Sequence, residues 1–235
     1  MKSKIHYAII SHKRPENVEK MEEITGVPEH LNWYVGKGEK NDYKHAKGHV
    51  VEGGKLCPSR NKALQLANSE DKYCLQLSDD LSHCGMVSQS GQLNKPNFSV
   101  IVREMFNLLS TTPLHLAGVA PTANQFFYNP LKPIGLKHFI IGDLMLIKRS
   151  KLRFDEKLSL KEDYDFTLQH IKQFGGVLRL NYILPSFKHY TNKGGAVAIR
   201  TEAREQEAIQ YLKNKWGSSI RDNPRRENEI LLRIK

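Results

Sequence analysis

Tyr73–Gly85 reads YCLQLSDDLSHCG. Cys74, Leu75 and Leu77 give it the length and apolar character of a buried strand. That strand ends on two adjacent carboxylates, Asp79 and Asp80. Side by side they repel, and each raises the other's pKa unless something positive compensates. A bound divalent cation would do so, and so would a basic neighbour. A solvated turn after a strand, where Asp is common, is the plainer alternative.

The residues before this stretch give it a context. IHYAII (5–10) reads as a buried first strand, and SHKRPENVEKMEEITG as a helix with Pro15 in its first turn and Gly26 at its stop. LNWYVG is a second strand. A polar loop rich in Gly and Lys (36–55) follows, and CPSRNKALQLANSE is helical, with Leu64 and Ala67 on one face. The first eighty residues thus alternate strand, helix, strand, helix, strand. That order implies a parallel sheet, whose ligands bind beyond the carboxyl ends of the strands. Asp79 and Asp80 stand at such an end.

Beyond it, NFSVIVREMFNLLS is a helix and HLAGVAP a short strand. TANQFFYNPLKPIG, with Pro130 and Pro133, has no clear period and reads as a loop. HFIIGDLMLIKRSKL gives one or two strands. KEDYDFTLQHIKQFGG is a helix stopped by Gly175 and Gly176, and VLRLNYILPSFKHY is extended. RTEAREQEAIQYLKNKWG is strongly helical. Residues 1–216 are expected to form one α/β domain, with 217–235 a charged tail.

The 235 residues carry 36 Lys and Arg against 25 Asp and Glu, a formal charge of +11. An acidic partner fits that excess, although diffuse charge also simply aids solubility. The three cysteines form no CxxC pair, which matches a reducing compartment. The N-terminus lacks the apolar run of a signal peptide, and no segment has the roughly 20 apolar residues of a membrane span. A soluble cytoplasmic protein without a membrane partner is expected.

Four groups of residues could carry chemistry. Asp80, with Asp79, offers hard oxygen ligands suited to Mg²⁺ or Mn²⁺. Glu162 and Asp163 could act as a base or hold an acceptor hydroxyl. Acidic residues in a first helical turn also simply complement the helix dipole. His189 could be an imidazole ligand, while Gly194 and Gly195 would let backbone N–H groups approach phosphates beside Lys193 and Arg200. Arg60 and Asn61, opening a helix, could contact a diphosphate and a base or ribose.

In order, the segments IISHKRPEN, SRNKAL, LQLSDD, KEDYDF and KHY resemble the motifs of GT-A nucleotide-sugar glycosyltransferases over residues 5 to 200. The resemblance implies a GT-A-like Rossmann-type central sheet flanked by helices. It implies that Asp80 and His189 ligate the divalent metal, Mn²⁺ or Mg²⁺. Asp79, Ser11, Arg14, Arg60 and Asn61 would contact the donor, a UDP-sugar. Asp163 would be the base or acceptor contact, supported by Glu162. Ser78 stands where the family's DxD pattern has its first carboxylate, which puts the ligand count in doubt.

The pair SRNKAL–LSDD and the segment HYTNKGG are similar to a narrower group, the TET-associated DNA base glycosyltransferases of phage type. That likeness implies a hydroxymethylated pyrimidine in duplex DNA, such as hydroxymethylcytosine, as acceptor. Lys37, Lys40, Lys44, Lys47, Lys132 and Lys137 would then meet DNA phosphates. A bacterial surface-glycan glycosyltransferase, expected to show an exposed apolar patch facing a membrane, is one alternative. A non-catalytic DNA-binding module on the same fold is another.

Overall fold

The structure, a computed structural model, describes residues 4–188 and 200–234. In chain order the elements are β1 (Ile5–Ile10), α1 (Val18–Thr25), β2 (Leu31–Val35), β3 (His49–Glu52), α2 (Leu56–Ser69), β4 (Tyr73–Ser78) and β5 (Leu81–Val87). Then come β6 (Leu93–Asn94), α3 (Phe98–Ser110), β7 (Leu116–Val119), β8 (Ile134–Gly135), β9 (Leu144–Ile147) and α4 (Glu162–Phe174). The chain closes with β10 (Leu178–Leu180), β11 (Ile183–Phe187), α5 (Glu202–Trp216), β12 (Ile220–Asp222) and β13 (Ile230–Leu232).

Eight strands form one mixed central sheet in the order β3-β2-β1-β4-β9-β7-β10-β8, flanked by helices. The expected parallel opening is present: β1 pairs in parallel with β2 and β4, and β2 with β3. β9 runs antiparallel to both β4 and β7, so β7 points the same way as β4. The carboxyl ends of β1, β2, β4, β7 and β10 therefore share one edge with the amino end of β9. Everything described below as the site lies on that edge.

The sheet is held from both faces. Ile9, Trp33, Leu75 and Leu77 belong to one apolar cluster with Ile101 and Met105 of α3. Ala8, Tyr34, Cys74 and Met145 point the other way, toward Ala63 and Leu64 of α2 and Phe166 of α4. This alternation is the period-2 signature of a strand covered on both sides. Burying each large side chain contributes about 1.5–3 kcal/mol.

Several strands depart from the sequence reading, among them the two-residue β6 and β8, the latter inside the TANQFFYNPLKPIG segment expected to be a loop. His49–Glu52 lies within the segment expected to be a polar loop, yet it forms the edge strand β3. Only two valines lie between Gly48 and Gly53, too little alternation to read as a strand. Leu81–Val87, which carries no clear strand pattern, forms β5, paired with β11 and β6 in a small second sheet. Its pattern is masked by the Asp79–Asp80 turn before it and by Ser82 and His83 within it. Residues 217–235, set apart above as a charged tail, contain the β12–β13 hairpin. Ile220 and Ile230 of that hairpin pack with Leu212 of α5. α5 is itself tied to α4, because Trp216 Nε1 and Lys215 Nζ reach Asp165 at 2.7 and 2.8 Å.

Candidate functional site

The loop after β1 folds over the end of β4. Ser11 Oγ donates to Asp79 Oδ2 at 2.5 Å and lies 2.6 Å from the Tyr43 hydroxyl. Arg14 Nη1 reaches Asp79 Oδ1 at 2.9 Å and Asp80 Oδ2 at 3.5 Å. All three charged side chains are buried. The question raised by two neighbouring carboxylates thus has a structural answer: the basic neighbour is Arg14. The loop is pinned from its other side by Glu39, which accepts from Lys13 N at 2.9 Å and pairs with His12 at 2.5 Å. Lys13 adopts a left-handed φ of 56°, unusual for a side-chain-bearing residue, and the Glu39 contact holds it there.

Burial pushes Asp79 up to about 6, and the neighbouring Asp80 charge adds to this, against the pull of Ser11 and Arg14. Lys20 of α1 is lowered by its own burial and by Lys188, partly offset by Asp80 and Asp79. Lys188 is in place because its N–H donates to the Asp80 carbonyl at 3.1 Å.

The second acidic pair opens α4 on the same edge. Arg60 Nε lies 3.2 Å from Glu162 Oε1, and its Nη atoms donate to Gln76 Oε1 and the Gly142 carbonyl, both at 3.0 Å. Gln76 returns a bond to the Arg60 carbonyl at 2.9 Å. Asp163 accepts from Gly142 N and Tyr164 N, both at 3.0 Å. Desolvation, then the Glu162 charge, holds Asp163 well above the usual carboxylate range; the Gly142 bond and Arg60 oppose this, and Asp143 reinforces it. Lys161, just before the pair, has a left-handed φ of 60° and is held by Glu205 and the Asn228 carbonyl.

The two pairs are joined by Ser78, which stands at the first position of the DxD pattern, and by Gly142 and Asp143, which the sequence reading did not single out. Ser78 donates through its N–H to the Asp143 carbonyl at 2.9 Å and through Oγ to Asp143 Oδ1 at 3.0 Å. Asp143 follows Gly142, the partner of Asp163. A continuous rim therefore runs Asp80, Asp79, Ser78, Asp143, Gly142, Asp163, Glu162. The signal was available: IIGDLMLI, like CLQLSDD, sets a carboxylate against an apolar strand.

The other candidates separate. Ser11, Arg14, Asp79, Asp80, Arg60, Glu162 and Asp163 converge on the rim. Arg60, however, is buried and spent on protein partners. Asn61 faces away, exchanging bonds with the Phe154 backbone at 2.8 and 2.9 Å. Arg200 pairs with Glu205 at 2.7 Å, across from Lys161. His189 and Lys193 lie outside the described residues. Lys37 and Lys40 follow the site end of β2, whereas the loop descends so that Lys47 meets Glu22 of α1 at 3.8 Å. Lys132 precedes β8 near the site end, and Lys137 follows that strand's far end. Among the described residues, no three of His, Cys, Asp and Glu are disposed to hold a metal ion. No helix there is long and apolar enough to cross a membrane.

No family model matches the chain. No curated protein sequence matches it either. Among solved structures it is similar to the mannosyltransferase PcManGT from Pyrobaculum calidifontis, in complex with GDP-Man and Mn²⁺. The TM-score is 0.55 at 12% identity, over 90% of this chain and 64% of that one. The likeness is one of fold: a mixed α/β domain of the glycosyltransferase, Rossmann-like kind.

Proposed function

We propose that this protein is a glycosyltransferase that moves a sugar from a nucleotide-sugar donor to a hydroxyl acceptor. The observation that carries this is the single rim of carboxylates on the ligand-binding edge of a glycosyltransferase-like sheet. Asp79 and Asp80 end β4, Glu162 and Asp163 open α4, and Ser78–Asp143 links them. The similar mannosyltransferase, bound to GDP-Man and Mn²⁺, supports the donor class.

In the reaction the acceptor oxygen attacks the anomeric carbon of the sugar. The bond from that carbon to the diphosphate oxygen breaks, and its electron pair leaves with the diphosphate. The hydroxyl proton passes to Asp163, whose raised proton affinity suits a base working near neutral pH. In a retaining course Asp163 instead orients the acceptor. Glu162, fixed by Arg60, holds the helix start in register for either role.

The donor set fits a divalent cation in a limited way. Asp79 has both oxygens in short bonds to Ser11 and Arg14, whereas Asp80 meets Arg14 at the longer distance of 3.5 Å, so Asp80 is the carboxylate that would hold Mg²⁺ or Mn²⁺. Mg²⁺ sites commonly use one or two carboxylates and take their other ligands from substrate phosphates and water. When bound, the metal supplies Lewis-acid stabilisation of the leaving diphosphate. His189 remains a proposed ligand on the sequence resemblance alone.

The finer reading is that the donor is a UDP-sugar and the acceptor a hydroxymethylated pyrimidine in DNA, modified in the cytoplasm. The TET-associated sequence likeness and the +11 charge support it. The test is a panel of nucleotide sugars with Mn²⁺ or Mg²⁺, followed by mass analysis of nucleosides from modified and unmodified DNA. A sugar on hydroxymethylated nucleosides only is the expected result. Transfer to none of them, with donor turnover intact, would leave glycosyl transfer standing and discard DNA as acceptor.

A further inference from the structure

Among the described residues, the loop between β7 and β8 carries the most exposed large apolar side chains. Phe126 is 86% exposed, Phe127 70% and Leu131 88%. The two phenylalanines meet edge to face, 5.5 Å between ring centres. Solvent-facing apolar clusters of this kind mark interaction sites.

The tip is braced. Phe126 N–H donates to Asn124 Oδ1 at 3.0 Å, and Gln125 Nε2 donates to the Gly91 carbonyl at 2.7 Å. Leu131 N–H donates to Asn129 Oδ1 at 2.9 Å, and Asn181 holds the carbonyls of Lys132 and Pro133, both at 2.8 Å. Pro130 and Pro133 restrict the backbone further. The backbone that carries the apolar side chains is thus held in place, which lowers the ordering cost of binding.

Its place and charge narrow the partner. The loop leaves the carboxyl end of β7, on the same edge as Asp79 and Asp80. Exposed Lys132 follows Leu131 directly, and the whole chain carries +11. A polyanion that also offers flat apolar faces answers both features. Base-modifying enzymes must take their target out of the stack, and Phe and Leu are side chains used as wedges between base steps. Resting on the DNA-acceptor reading above, we propose that Phe126, Phe127 and Leu131 form a rigid wedge that enters the duplex stack beside the nucleotide to be modified.

The test uses the full chain with Phe126→Ala and Phe127→Ala combined. Both positions are solvent-facing, so the fold is preserved, as circular dichroism would verify. Transfer is measured on a hydroxymethylated pyrimidine in a duplex and in a single strand of the same sequence. Duplex transfer should fall about tenfold or more, and single-strand transfer should stay within about twofold, because only the duplex needs unstacking. In parallel, 2-aminopurine placed beside the target should brighten when the wild-type protein binds the duplex and not when the variant binds.

Equal effects on both substrates, or no effect on either, would overturn the wedge. So would a variant that loses binding to phosphatidylglycerol vesicles while keeping duplex transfer, which would assign the loop to an anionic bilayer. The 2-aminopurine signal needs no chemistry and judges the wedge independently. If it rises with the wild type but no DNA is glycosylated, insertion into the duplex is upheld while its placement beside a target nucleotide falls with the acceptor reading.

Discussion

The Asp79–Asp80 and Glu162–Asp163 regions look alike in sequence and are held in different ways. Each is an adjacent acidic pair where a buried element meets the ligand edge of the sheet. Asp79 is gripped by side chains from the loop after β1, Ser11 at 2.5 Å and Arg14 at 2.9 Å. Asp163 is gripped by backbone N–H groups of Gly142 and Tyr164, and only its neighbour Glu162 meets a guanidinium. Both carboxylates are raised by burial and by an acidic neighbour, but at Asp79 a cation and a hydroxyl favour the charged form, whereas Asp163 has mainly neutral backbone donors and a more distant Arg60 charge to oppose the rise. On the proposed reading, the first pair belongs to the donor side and the second to the acceptor side.

The sharpest way to break that division is kinetic. Asp80→Asn should cut transfer by about 10³-fold or more and abolish the metal dependence of donor binding measured by calorimetry, as loss of an electrostatic stabiliser of the leaving group would. Asp163→Asn should cut turnover by about 10²–10⁴-fold with donor affinity within a few-fold of wild type. If Asp163→Asn instead weakens donor binding as much as turnover, the two regions are not separate sides. If its turnover is unchanged, Asp163 is only a favourable helix-start residue.

The next test concerns the guanidinium groups. Arg14→Met removes the guanidinium that pairs with two buried carboxylates, and Arg60→Met removes the charge beside Glu162 together with the donors to Gln76 and the Gly142 carbonyl. Each should cost about 3–5 kcal/mol in urea denaturation. Acid should restore part of the loss in Arg14→Met, because protonation removes the stranded charge. A loss under 1 kcal/mol in either variant would mean that the buried pair contributes little to the fold.

How much of this was legible follows from where each signal lives. The β1–α1–β2–α2–β4 order was readable because each element is long and strongly patterned, with Pro15 and Gly26 marking one helix's ends. β3 was not, since two valines between glycines carry no period, and only pairing with β2 makes them a strand. Asp79, Asp80, Glu162 and Asp163 were readable as charges in costly places. Their partners were not: Arg14 lies 65 residues from Asp79 and Gly142 lies 21 from Asp163. Asn61 shows the reverse failure, since a helix-opening Asn looks like a ligand contact until Phe154 is seen to take both ends of its amide.

The pH dependence sharpens the comparison further. Asp79 is raised in the folded protein from 3.8 to about 6, so the folded chain holds this proton more tightly than the unfolded one. Its contribution is therefore greatest below the ordinary carboxylate value and declines as pH rises from about 4 to about 6, by on the order of 3 kcal/mol. Asp163 is raised too and adds to the same decline. Transfer has the opposite sign, because a base must be deprotonated, so turnover should climb as pH passes the raised Asp163 value. Asp163→Asn should remove that limb of the rate profile and leave the Asp79 part of the stability curve. His170, lowered to about 4 by burial, has the opposite sign over the same range, so the readout is the stability difference between wild type and Asp79→Asn: a difference that stays flat from about pH 4 to about pH 6 would contradict the raised Asp79.

The smallest expected effect tests whether the two regions are coupled at all. Ser78 is the hinge of the rim, and its Oγ bond to Asp143 Oδ1 is the side-chain link between the β4 end and the segment that bonds Asp163. Ser78→Ala should cost about 0.5–1.5 kcal/mol in stability, the usual net worth of one hydrogen bond. The informative quantity is its coupling to Asp163→Asn in a double-mutant cycle on turnover. Residues in one hydrogen-bond network show interaction energies of about 0.5–3 kcal/mol, whereas independent sites add within about 0.3–0.5. A coupling inside the network range would mean that the donor-side strand positions the acceptor-side carboxylate through Asp143 and Gly142. Simple additivity would mean that the backbone bond from Ser78 N to the Asp143 carbonyl, which the substitution leaves intact, already fixes the segment, and that the two acidic pairs act as independent halves of one site.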